Sequence, residues 1–167
     1  MRLKSRVAII ACLLSGGLVL GLSSTSSAQK PPATKQPAHP SDATAGGGHF
    51  YKAYLDKVTW ADAKLKCEEQ GGYLACITSP QEDAFVIGVI SKQLGDEKLG
   101  DEKNKFWLGG TFDGGKWKWI NGEAFRYSPG KLPTDGKTPF LRHAGSRWLT
   151  AGNASSLVVG YVCEWDR

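Results

Sequence analysis

The chain predicts an α+β domain, and three observations carry that prediction. Two segments have helix caps and a helical apolar stripe. Several short apolar runs alternate like strands. Between the last of these runs lies a long Gly- and Pro-rich stretch with weak periodicity.

Taken in order, the domain's first element is a strand over residues 49–55, His49 to Leu55. Thr59 then caps a helix, with Asp62 three residues on as its reciprocal partner. Trp60, Ala63 and Cys67 share one face of that helix, and Gly71-Gly72 stops it. Tyr73 to Ile77 reads as a strand containing Cys76. A second helix starts at Ser79-Pro80-Gln81-Glu82, where Ser caps, Pro takes the first turn and Glu answers back. Phe85, Val86, Val89, Ile90 and Leu94 form its buried stripe.

A tandem repeat follows, Gly95-Asp96-Glu97-Lys98-Leu99 and Gly100-Asp101-Glu102-Lys103-Asn104. It lacks the alternating oxygen ligands of a calcium loop and reads as a solvated, charge-balanced loop. Phe106 to Thr111 is an apolar strand. Asp113-Gly114-Gly115 is a turn before Trp117-Lys118-Trp119, whose tryptophans share a face by period two. Residues 121–147 are the long loop. Trp148-Leu149 and residues 157–165 close the sheet, and Gly160 to Trp165 is a strand with Cys163 inside it. A bond between Cys67 and Cys163 would tie the start of the domain to its end.

Ahead of the domain, residues 1–28 read as a secretory signal peptide. Arg2, Lys4 and Arg6 form the basic start, Val7 to Leu22 the apolar run, and Ser26 and Ala28 the small-residue cleavage site. The run is short for a membrane span, so no span is expected after cleavage. Removing three basic and no acidic residues takes the formal net charge from +5 to +2. That balance gives no footing for nucleic acid. Residues 29–48, rich in Pro, Ala, Thr, Lys and Gly, read as a flexible linker, which leaves 49–167 as one domain with one core. The exported chain is secreted, periplasmic or at the cell surface, where disulfides persist. Three cysteines remain there, and the odd one, Cys76, reads as a free, buried thiol with no basic neighbour to favour a thiolate.

The ordered set of residues resembles the C-type lectin-like domain. It comprises Trp60, Ala63 and Cys67, then Gly71-Gly72-Tyr73-Leu74-Ala75, Ser79, Glu82 and Phe85. Trp107-Leu108-Gly109-Gly110, Trp119, Asn121-Gly122 and Tyr161-Val162-Cys163-Glu164 complete it. The resemblance implies two helices flanking small antiparallel sheets, paired N- and C-terminal strands, a long loop region and a Cys67–Cys163 disulfide.

The family's chemistry carries over less well. Sugar-binding members hold calcium in the long loop with Glu-Pro-Asn or Gln-Pro-Asp, a further acid and an Asn-Asp pair after a tryptophan. Here the triplet is Leu132-Pro133-Thr134, and Leu149-Thr150 follow Trp148. Calcium needs about 6–8 oxygen ligands, and Asp135 alone cannot supply them, so no calcium or other cofactor is expected. The family's second disulfide, inside the loop, is absent as well, which predicts a more mobile loop.

The surroundings of the loop are basic. Arg126, Tyr127, Lys131, Asp135, Arg142, His143 and Arg147 are the candidate ligand-binding residues, suited to an acidic glycan or protein surface. The expected function is a non-catalytic, calcium-independent binding module for a carbohydrate or protein ligand. The alternative is a calcium-dependent lectin whose site is rearranged around Asp113, Glu123, Asp135 and Glu164. No nucleophile elbow, His-Glu-x-x-His motif or phosphate loop occurs, so the chain does not read as an enzyme. Trp117, Phe125 and Tyr127 could form an aromatic patch for a protein partner, while Trp107, Trp119 and Trp148 read as core. Asn153-Ala154-Ser155 fits a glycosylation triplet and is taken as incidental; oligomeric state is open.

Overall fold

The structure, a computed structural model, describes residues 39–95, 104–154 and 158–167. The signal-peptide reading of 1–28, most of the tandem repeat and Ser155 of the glycosylation triplet lie outside the described residues.

Ten elements follow in chain order: β1 Thr44–Gly46, β2 His49–Tyr54, α1 Trp60–Glu69, β3 Tyr73–Leu74, α2 Pro80–Leu94, β4 Lys105–Asp113, β5 Lys116–Trp119, β6 Phe140–His143, β7 Trp148–Ala151 and β8 Val158–Asp166. The domain begins earlier than the expected boundary at residue 49. Thr44–Gly46 pairs antiparallel with Tyr51–His49, Lys52 pairs with Asp42 at 2.7 Å, and the His39 ring stacks on Phe50.

Both helices form for the reasons legible in their termini. Thr59 accepts from Asp62 N–H and donates its hydroxyl to the Asp62 carboxylate. Ser79 accepts from Glu82 N–H, with Pro80 in the first turn. Glu82 does not close a box on Ser79. Its Oε2 accepts from Thr78 N–H at 2.7 Å and its Oε1 from the Tyr51 hydroxyl at 2.6 Å, which fastens α2 to β2. Trp60, Ala63 and Cys67 are buried on α1, and Val86, Val89, Ile90 and Leu94 on α2.

The strands make a mixed sheet in the order β1-β2-β8-β4-β6-β7, with β3 on β8 and β5 on β4. The closing strand β8 pairs with β2 over six residues, His49↔Asp166 to Tyr54↔Tyr161, so the N- and C-terminal strands join as expected. The sheet is not wholly antiparallel, because β8 lies beside β4 in the same direction. Parallel neighbours need a long crossover, and residues 114–157 supply it. That crossover also contains β6, a strand inside the stretch read as loop, paired with both β4 and β7.

Two glycines let backbones approach at the centre. A Cβ on Gly109 would stand 2.3 Å from Leu74 O, and one on Gly160 would stand 2.1 Å from Tyr54 O, inside any tolerable contact. Cys67 and Cys163 are disulfide-bonded, with Cα atoms 5.5 Å apart. Cys76 is free and buried, and burial raises its thiol pKa.

Candidate functional site

The segments that link β5, β6 and β7 hold most of the expected ligand-binding residues. Arg126, Lys131, Asp135 and Arg147 are exposed there. Asp135 accepts from Lys137 N–H at 3.1 Å. Arg142 is half-buried on β6 opposite Leu149 of β7, and burial lowers its guanidinium pKa.

Two of the seven candidates point the other way. His143 is fully buried, with its Nε2 2.9 Å from Asp83 Oδ1. Tyr127 is half-buried and donates its hydroxyl to Asp83 Oδ2 at 3.1 Å. Trp148 Nε1–H donates to Asp83 Oδ1 at 3.0 Å. Asp83 on α2 is itself buried, and three side chains from the crossover converge on it. His143 therefore serves to hold β6 against α2 and does not reach a ligand; the alternation of β6 turns Leu141 and His143 inward and Arg142 outward.

The Asp83 carboxyl sits below the ordinary aspartate value of 3.8. Burial pushes it up, but the hydrogen bond and charge of His143 and the bonds from Trp148 and Tyr127 outweigh that push. The ionised carboxylate can only accept, so His143 Nε2 carries the proton toward it. The crossover thus has an anchor in place of the missing loop disulfide, an offset to the mobility expected from the sequence. Asp83 was not singled out in the sequence, since an acid in the first turn of a helix already has a reason to be there, the helix dipole.

Around this anchor runs a chain of aromatic contacts. Tyr127 meets Trp148 edge-on at 5.4 Å, Trp148 meets Trp119 at 5.7 Å, Trp119 stacks on Phe125 at 4.7 Å, and Phe125 leads to Trp117 at 6.2 Å. Trp119 and Trp148 are buried, as is Trp107. Trp117 is half-buried, and its indole N–H donates to Pro133 O at 2.9 Å. Lys116 to Trp119 and Gly122 to Phe125 line an open groove of about 400 Å³.

Among the described residues, the acids that a rearranged calcium site would need do not group together. Asp113 pairs with Lys118 at 2.6 Å, and Glu123 accepts from Asn121 Nδ2 at 3.0 Å. Glu164 is buried on β8, accepting from Cys76 N–H and the Tyr73 hydroxyl, and its carboxyl is raised to about 8 by burial. Where Asn-Asp would follow the tryptophan, Leu149 pairs across to Arg142, and the Thr150 hydroxyl shares a 2.7 Å hydrogen bond with the Thr138 hydroxyl.

Comparison with known proteins agrees with this architecture. The lectin C-type domain family matches residues 56–164. A snaclec of Protobothrops flavoviridis, one chain of its coagulation factor IX/factor X-binding protein, is 26% identical over 131 residues, 76% of this chain and 82% of that one. C-type lectin domain family 4 member F of Mus musculus is 35% identical over 86 residues, 50% of this chain but 14% of that protein. Among solved structures, herring type II antifreeze protein superposes with a TM-score of 0.64 at 21% identity, covering 77% of this chain and 98% of the other. The matched segment spans both helices and both halves of the cystine that joins α1 to β8, and this chain belongs to the C-type lectin domain family.

Proposed function

We propose that the domain is a non-catalytic binding module that recognises a carbohydrate or protein ligand without calcium, through the face formed by the β4–β8 crossover. The observation that carries this reading is the state of β7. Positions 149 and 150, where calcium-binding relatives place amide and carboxylate oxygens, hold a leucine and a threonine whose hydroxyl is bonded to Thr138. Arg126, Lys131 and Arg147, exposed on the same crossover, favour a ligand with acidic groups through charge-assisted hydrogen bonds. The name of the snaclec relative speaks for a protein ligand and the family's lectin members for a glycan. The His143–Asp83 pair supports a binding rather than a catalytic role, because it is enclosed by Trp148 and Tyr127. A disulfide between α1 and β8 fits an oxidising compartment, so the protein acts outside the cytoplasm, secreted, periplasmic or at the cell surface. Among the described residues, no helix is long and apolar enough to cross a membrane.

The test is a screen of acidic and neutral glycans and candidate proteins, run in chelator and again in calcium. Binding should be equal in both and should fall at least tenfold in an Arg126→Glu/Arg147→Glu double variant. A ligand retained only in calcium, together with a calcium-induced rise in melting temperature, would establish the rearranged calcium lectin instead.

A further inference from the structure

The sheet brings together, away from the crossover, three side chains that the binding function does not use. His49 opens β2, and its Cα partner across the ladder is Asp166 on β8. Glu164 lies two residues back on β8, so its side chain leaves the same face as that of Asp166. Tyr73 of β3 is the Cα partner of Glu164 from the other side. His49 Nδ1 stands 3.1 Å from Glu164 Oε1 and 3.2 Å from Asp166 Oδ1.

Those distances do not make hydrogen bonds. His49 Nδ1 is shielded from solvent and has no hydrogen-bond partner despite the two nearby carboxylate oxygens. Both contacts are at ion-pair distance, and the His49 side chain is 29% exposed, so the two carboxylates cover the Nδ1 edge while the rest of the ring still meets solvent. Ligand atoms sharing one tetrahedral zinc ion at bonds of about 2.1 Å lie roughly 3.4 Å apart. The two spacings from Nδ1 to the oxygens fall just short of such an edge, and all three donor atoms lie within 4.8 Å of one another, close enough to close on one ion.

We infer that His49, Glu164 and Asp166 form a binding site for a borderline divalent cation of the zinc type. The donor set is one imidazole nitrogen and two carboxylate oxygens, which suits zinc and disfavours calcium, an ion that takes oxygen ligands throughout. The carboxylates are held in advance. Tyr73 hydroxyl bonds Asp166 Oδ1 at 2.6 Å and Glu164 Oε1 at 3.2 Å, while Cys76 N–H bonds the second Glu164 oxygen at 2.8 Å. Oriented ligands of this kind raise metal affinity. Three protein ligands leave a tetrahedral ion one open position. His49 also lines a cleft of about 300 Å³ with Gly46, Tyr51, Ser79, Glu82 and Phe85, and Asp166, the third donor, is exposed.

Calorimetric titration of the untagged protein with zinc tests this directly. One equivalent should bind and the melting temperature should rise, while calcium at the same concentration does neither and does not compete. His49→Ala and His49→Gln should both abolish zinc binding, and Asp166→Asn should weaken it at least tenfold. Circular dichroism verifies that each variant folds. Cobalt gives a second reading, a visible absorption band present in the wild type and missing in His49→Ala. Zinc binding that is absent, or that survives both His49 substitutions, overturns the site. Either result leaves ligand binding by the crossover unaffected, because Arg126 and Arg147 take no part here.

Discussion

Asp83 shows how one residue can decide the fate of a loop. It collects three donors from the crossover, and no neighbouring residue announces that duty. Replacing it with Asn leaves the packing shape but removes the charge that His143 faces, and the cost should be about 1–3 kcal/mol, read as a lower denaturation midpoint. The pH sign follows from its depressed pKa. The folded carboxyl releases its proton more readily than the unfolded one, so the stabilisation is complete above about pH 4 and is lost as pH falls through the lowered folded value. Denaturant titrations from pH 6 to 2 should therefore show a shallower acid limb for Asp83→Asn than for the wild type. His143 marks the limit of local reading at this scale. A histidine in a basic, Gly-rich stretch looks like a ligand contact, and only a partner 60 residues away turns it inward.

At the level of elements, the start of α1 is more fully satisfied than its own sequence requires. Trp60 N–H bonds Asn153 O, Ala61 N–H bonds Asn153 Oδ1, Asp62 N–H bonds the Thr59 hydroxyl, and Ala63 N–H bonds Thr59 O. The first three are amides at the end a helix leaves short of internal partners, and the fourth is the helix's own first bond. Asn153, incidental as a glycosylation triplet, thus has a structural role, clamping the segment after β7 onto α1. Asn153→Ala should cost about 0.5–2 kcal/mol, and Asn153→Asp, which keeps the acceptor, should stay near wild type by thermal melting. Both helices were legible because caps and stripes lie within a few residues of one another. β6 was not. Its inward pair is Leu141 and His143, and a polar residue at an inward position hides the alternation that marks a strand.

For the molecule as a whole, the disulfide and the path of β8 set the outcome. Cys67–Cys163 closes a segment of 96 residues, a restraint on the unfolded chain worth about 4–5 kcal/mol in the entropic account. That is a large share of a typical domain's stability of about 5–15 kcal/mol. Reduction, or Cys163→Ser, should lower the melting temperature markedly; an unchanged melt under full reduction would show that the bond adds nothing. The sequence alone determined the capped helices, the buried Trp60, Ala63 and Cys67 face, the buried free Cys76, and the missing calcium ligands at positions 132, 134, 149 and 150. Each of these is a matter of residue type at short spacing, which is where periodicity and capping act. The tertiary structure decided that β8 runs parallel beside β4, that Asp83 gathers His143, Trp148 and Tyr127, and that His49 meets Glu164 and Asp166. Those contacts join residues far apart in the chain, and a buried polar group reveals its partner only when the strands that carry both have found their register.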